Sequence, residues 1–153
     1  NVRQQVLDVN NHSPVFNKKI YEYKLAMAIP EDFELSQLLP INATDIDFSN
    51  SMINFTIDFN QDFRLDYKGV NTGNGVYTTK LTSLKTIKPP YTKNFSITAS
   101  DNGNPSINST ATVIISVLNH TQPALADQDN NAGNRNYLNI LLLLVIVFVS
   151  LKY

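Results

Sequence analysis

The residues best suited to chemistry in this chain are carboxylates and carboxamides in three short clusters. Asp8, Asn10 and Asn11 stand near the start with His12 beside them, Asp45 and Asp47 form an Asp-x-Asp pair, and Asp101 opens Asp101-Asn102-Gly103. All of these are hard oxygen donors, which suit Ca2+ rather than a transition metal. Gathered at one place, Asp8, Asp45, Asp47 and Asp101 would repel one another unless a cation neutralised them. Singly they say less, since Asp-Asn-Gly is a common turn. Other chemistries have little to work with. There is no Cys, which excludes disulfides, zinc–thiolate sites and thiol nucleophiles. His12 and His120 lie far apart with no Ser partner, so no hydrolase and no enzyme of another kind is expected. Gly69 to Gly75 reads as a hairpin loop between strands, not as a phosphate loop before a helix. A net charge of −1, with 12 basic residues spread along the chain, argues against nucleic-acid binding.

The elements that must position these residues are strands. From Ile20 to Leu118 the apolar period is two, clearest in Ile53-x-Phe55-x-Ile57-x-Phe59, Phe95-x-Ile97-x-Ala99 and Ala111-x-Val113-x-Ile115-x-Val117. Weaker runs cover Tyr21 to Ile29, Leu39 to Ala43, Phe63 to Tyr67 and Val76 to Leu81. Turn signals separate them at Pro30-Glu31-Asp32, Asp47 to Asn50, Gly69 to Gly75, Pro89-Pro90 and Asn102 to Pro105. The pattern predicts an all-β fold, a seven-strand antiparallel Greek-key β-sandwich, with Phe16, Tyr21 and Tyr23 in the strands. In such a fold Asp45 and Asp47 follow one strand and Asp101 follows another. Alternating strand directions then let both ends share one pole with the chain around Asp8 to Asn11.

The two ends suggest a membrane-tethered fragment. Val2 to Leu7 reads as the end of a strand whose partners lie upstream. Ile140 to Val149 is unbroken apolar sequence, and at 1.5 Å per residue Leu138 to Leu151 would span about 21 Å as a helix. That is shorter than a bilayer core of about 30 Å, so the tail reads as a truncated transmembrane helix, a removable glycolipid-anchor signal or a short span. Each reading puts the polar domain on the extracellular face of the plasma membrane, single-pass or glycolipid-anchored. Six Asn-x-Ser/Thr sequons agree with that side: Asn11, Asn42, Asn54, Asn94, Asn108 and Asn119. Most fall on outward strand positions or turns, so Asn42, Asn54, Asn94, Asn108 and Asn119 are the expected glycosylation sites, and Asn11 is expected to stay unused.

The motifs also carry a resemblance. Asp8-Val9-Asn10-Asn11-His12-Ser13-Pro14-Val15-Phe16 resembles the linker that opens a cadherin repeat. Ala43-Thr44-Asp45-Ile46-Asp47 is similar to the family's Ala-x-Asp-x-Asp, and Ala99-Ser100-Asp101-Asn102-Gly103-Asn104-Pro105 to its Ala-x-Asp-x-Gly-x-Pro. The resemblance runs from about Asp8 to Pro123. It implies that Asp8, the Asn10 side chain, the His12 carbonyl, Asp45, Asp47 and Asp101 ligate Ca2+ at a junction with a preceding repeat, which supplies the other ligands. Asn11 stands where the family has Asp, which removes one charge and leaves a weaker candidate ligand. The opposite junction is eroded. Leu84-Lys85-Thr86-Ile87 replaces Leu-Asp-Arg-Glu, Val117 to Pro123 has lost both linker Asp residues, and Glu31 alone cannot hold calcium.

The organisation expected is therefore a linker and the end of a preceding repeat (1–12), a repeat (13–123), a polar stem (124–137) and a hydrophobic membrane segment (138–153). The resemblance implies calcium-dependent cell–cell adhesion, with calcium stiffening the rod of repeats so that cadherin-type ectodomains meet on other cells. A calcium-independent stalk and an immunoglobulin- or fibronectin-like receptor domain are the alternatives.

Overall fold

The computed structural model describes residues 9–47 and 52–119. In chain order its elements are β1 (Val15–Phe16), β2 (Ile20–Leu25), one 3-10 turn (Leu35–Gln37), β3 (Ile41–Thr44), β4 (Ile53–Ile57), β5 (Phe63–Leu65), β6 (Val70–Gly73), β7 (Val76–Thr79), β8 (Leu81–Ser83), β9 (Tyr91–Asp101) and β10 (Asn108–Val117). They form two four-stranded sheets, ordered β1-β3-β7-β6 and β2-β10-β9-β4, with β5 and β8 as a separate pair.

The all-β class follows the period-two pattern, but the strand count and one direction differ from expectation. Among the described residues ten strands, of two to 11 residues, stand where seven were expected. Val15–Phe16 forms a strand of its own, Val76 to Leu81 splits at Lys80, and the stretch expected to be a hairpin loop contributes β6. In that last stretch only Gly73-Asn74-Gly75 turns, each residue at positive φ. The β2–β10 pair is parallel, with Tyr21 opposite Val113 and Tyr23 opposite Ile115. Side-chain alternation records which face is buried and not which way a neighbour runs, so the sequence carried no sign of this.

The core lies between the sheets. Tyr21, Tyr23, Ile97, Val113, Ile115 and Val117 from one sheet meet Ile41 from the other, with Leu35, Phe63 and Leu81. A smaller cluster of Ala43, Ile53, Phe55, Tyr77 and Ala99 packs apart from it, and Phe16 and Leu65 touch both. The Phe16 ring lies 6.2 Å from that of Tyr21 and 6.0 Å from that of Phe55. Phe59, expected to continue the inward row of β4, is 90 % exposed. The strand ends at Ile57, so the alternation no longer governs a residue two places on. Among the described residues no helix is long and apolar enough to cross a membrane. The expected polar stem (124–137) and membrane segment (138–153) lie outside the described residues.

Candidate metal centre at one pole

Each acidic stretch lies where an inward-facing row runs on past its last apolar residue. Along β3, Ile41 and Ala43 are buried, and Asp45 and Asp47 keep the same phase and are buried too. Ile46 between them is 70 % exposed. Along β9 the buried row Phe95, Ile97, Ala99 ends at Asp101, which is 3 % exposed. A buried carboxylate is costly unless its oxygens are partnered, so these positions invert the usual preference.

The partners are backbone amides and the incoming chain. Asp45 accepts from the Asp47 amide at 2.9 Å. Its own amide donates to the Gly75 carbonyl at 3.1 Å. A Cβ on Gly75 would lie 2.5 Å from the Asp45 carbonyl oxygen, so the β6–β7 turn needs glycine there to come this close. Asp47 Oδ2 accepts from the amides of Asn11 at 2.9 Å and His12 at 2.8 Å, and Oδ1 lies 2.7 Å from His12 Nδ1. The His12 amide is the main reason that the Asp47 carboxyl is held below the usual carboxylate range. Burial works against it, while the His12 ring and the Asn11 amide add to it. Asp101 Oδ1 accepts from the amides of Gly103 at 3.1 Å and Ile107 at 2.9 Å. Its other oxygen, Oδ2, is buried with no hydrogen-bond partner.

Three consecutive linker residues tie the two acidic stretches together. Asn10 Nδ2 donates to the Pro105 carbonyl at 2.6 Å, in the loop after Asp101, while Asn11 and His12 hold Asp47. Asn10, Asn11, His12, Asp45, Asp47 and Asp101 therefore lie at one end of the described domain. Asp8 lies outside the described residues. Among the described residues no three acidic or histidine side chains group closely enough to hold a metal by themselves. The donor set is all oxygen apart from the His12 ring, and the unpartnered Asp101 Oδ2 is the kind of atom a hard cation satisfies, so these residues fit calcium in part.

Sequence reasoning missed three contributors. The His12 ring bonds Asp47, where only its carbonyl was expected to matter. Asn71 and Asn74 line an open groove of about 530 Å3 with Asp45, Ile46, Asp47, Gly75 and Tyr77. Only the Gly-Asn-Gly turn signal hinted at that hairpin. Lys85 finds a partner in buried Asp62, with Nζ 2.6 Å from Oδ1, while Lys93 Nζ at 2.9 Å and the Tyr91 hydroxyl at 2.8 Å hold Oδ2. Lys85 first and then Lys93 push the Asp62 carboxyl far below the usual range, against burial, and Tyr91 adds to them. Glu31 is exposed. Of the sequon asparagines, Asn11, Asn94, Asn108 and Asn119 are exposed, whereas Asn42 and Asn54 are half-buried.

No family model matches the chain. It is 30 % identical over 135 residues to protocadherin-11 X-linked of Sus scrofa, covering 83 % of this chain and 11 % of that protein. It is 29 % identical over 130 residues to human protocadherin-23, covering 83 % of this chain and 4 % of that protein. The chain thus spans a small part of the curated relatives it matches. Among solved structures, the first three ectodomain repeats (EC1-3) of protocadherin gamma C5 align at a TM-score of 0.61 and 22 % identity, over 74 % of this chain and 36 % of that one. Repeats EC22-24 of mouse cadherin-23 align at 0.56 and 21 %, over 75 % of this chain and 33 % of that one. Two packed β-sheets with buried carboxylates at one pole define the class as a β-sandwich. Within that class the described domain is a cadherin repeat. These relatives are adhesion proteins and not enzymes.

Proposed function

We propose that this chain is the membrane-proximal part of a cadherin-type ectodomain that serves calcium-dependent cell–cell adhesion at the plasma membrane. Calcium would sit at the N-terminal pole, held by Asp45, Asp47 and Asp101 with Asn10, Asn11, the His12 carbonyl and Asp8. A preceding repeat would supply the remaining carboxylates. The bound ion would neutralise acids that otherwise repel, and so turn a hinge between repeats into a stiff joint. Stiff joints let distal repeats reach ectodomains on other cells. The observation that carries this reading is the buried, unpartnered Oδ2 of Asp101 at the end of an inward row. Residues 138–151 would anchor the protein, as a single transmembrane pass or as a glycolipid signal.

A second reading, a calcium-independent stalk, has its own support. Both carboxylate oxygens of Asp47 already have partners within the chain. Thermal melts of residues 1–123 with and without about 10 mM calcium separate the two, beside Asp45→Ala and Asp101→Ala. With half the junction missing, a dissociation constant of about 1 mM gives ~1.4 kcal/mol of stabilisation. That is a rise of roughly 5–8 °C, absent from both variants. A fragment extended by one upstream repeat that is still indifferent to calcium would establish the stalk.

A further inference from the structure

We propose that the outer face of the β2-β10-β9-β4 sheet carries N-linked glycans at Asn94 and Asn108, and that Asn42 and Asn54 stay bare. The proposal rests on the extracellular reading above.

A sequon spaces its Asn and its Ser/Thr two residues apart, which is the period of a strand. On a strand both groups then face the same way. Along β9, Asn94 and Ser96 point outward while Phe95 between them is buried in the core. On β10, Asn108 and Thr110 are exposed and Ser109 between them is half-buried, its hydroxyl donating to the Pro14 carbonyl. A glycan is bulky and must leave its asparagine into water, and these two asparagines are exposed.

Asn54 on β4 and Asn42 on β3 have the same spacing but different surroundings. Both are half-buried, and their side-chain carbonyl oxygens are buried with no hydrogen-bond partner. Both sit within paired backbone, Asn42 opposite Thr78 in the ladder and Asn54 in a backbone bridge with Lys68. Drawing either out far enough to bear a sugar would disturb those surroundings.

Register supplies an independent reason for Asn54. Ser100 on β9 pairs with Asn108 on one side and with Asn54 on the other. At about 4.8 Å between strands, the two asparagines stand roughly 10 Å apart. A sugar on Asn108 would overhang Asn54. Asn94 lies six residues along β9 from Ser100, or roughly 20 Å at about 3.3 Å per residue, so its sugar clears that on Asn108. Asn94 also neighbours Ile114 on β10, a half-buried apolar residue on this outer face, whose far neighbour is Glu22. A glycan on Asn94 would cover it. The outer face of the β1-β3-β7-β6 sheet, where Val15 and Val70 are exposed, would carry no sugar.

The test uses the full chain, directed into the secretory pathway of mammalian cells by a cleavable leader. Enzymatic deglycosylation in heavy-oxygen water marks each occupied Asn as labelled Asp, read by peptide mass spectrometry. Asn94 and Asn108 should be labelled, and Asn42 and Asn54 should not. Asn94→Gln and Asn108→Gln should each remove one step of gel mobility, and Asn42→Gln and Asn54→Gln none. Label on Asn42 or Asn54 in the folded, surface-delivered chain, or its absence from Asn94 or Asn108, overturns the proposal. Because the leader imposes entry, such a failure leaves the extracellular reading standing. That reading is tested separately by surface labelling of the natural full-length protein.

Discussion

Replacing Gly103 by Ala should loosen the chain around Asn10 at the acidic pole through one identifiable contact. A Cβ built on Gly103 would lie 2.0 Å from Asn10 Nδ2 and 2.2 Å from its Cγ. Ordinary contact begins near 3.4 Å. The Asn10 side chain must therefore retreat by more than an ångström, and its 2.6 Å bond to the Pro105 carbonyl breaks. Losing one exposed neutral hydrogen bond costs about 0.5–1.5 kcal/mol. For a domain of this size that lowers Tm by roughly 3–6 °C. The assay is a double-mutant cycle of thermal melts with Asn10→Gly. Glycine rather than alanine is the right partner, because the Cβ of Asn10 would itself lie 2.8 Å from the new methyl. In the Asn10→Gly background the Gly103→Ala cost should vanish, a coupling of about 1 kcal/mol. An equal cost in both backgrounds, with coupling below about 0.3 kcal/mol, would refute the argument.

Other outcomes follow from the core and from the charges. Ile115→Ala, at a position with no exposure, should cost about 2–5 kcal/mol by denaturant melts. Phe59→Ser should stay within about 0.5 kcal/mol of the natural protein, because the ring is 90 % exposed. Asp62 is ionised and paired in the fold with its pKa depressed. Its contribution to stability should therefore be complete above the unfolded value of about 4 and fall away as pH drops below that. Asp62→Asn should flatten the stability profile below about pH 4, and an unchanged slope there would contradict the pairing with Lys85 and Lys93.

The fold and the pole differ in how much of each the sequence made readable. Alternation along Phe95-Ile97-Ala99 and Val113-Ile115-Val117 marks buried faces, because a one-residue slip would expose every apolar side chain. The same alternation, carried past Ala43 and Ala99, put Asp45, Asp47 and Asp101 on inward lines. Pairing partners were not readable, and so the parallel β2–β10 edge and the strand at Val70–Gly73 came only with the structure. Polar contacts across long separations were hidden for the same reason. Nothing local to His12 shows that its ring meets Asp47, and nothing near Lys85 shows Asp62. Burial of Asn42 and Asn54 depends on neighbouring strands, which a three-residue sequon does not describe.

The most direct test of the calcium account measures the joint itself. Spin labels placed on this repeat and on the preceding one, in the natural tandem, report the distance between them by pulsed electron resonance. With calcium the account predicts one narrow distance. After chelation, and in Asp101→Ala even with calcium, it predicts a broad distribution. A distribution equally narrow in both conditions, or equally broad, would contradict calcium as the element that stiffens this junction.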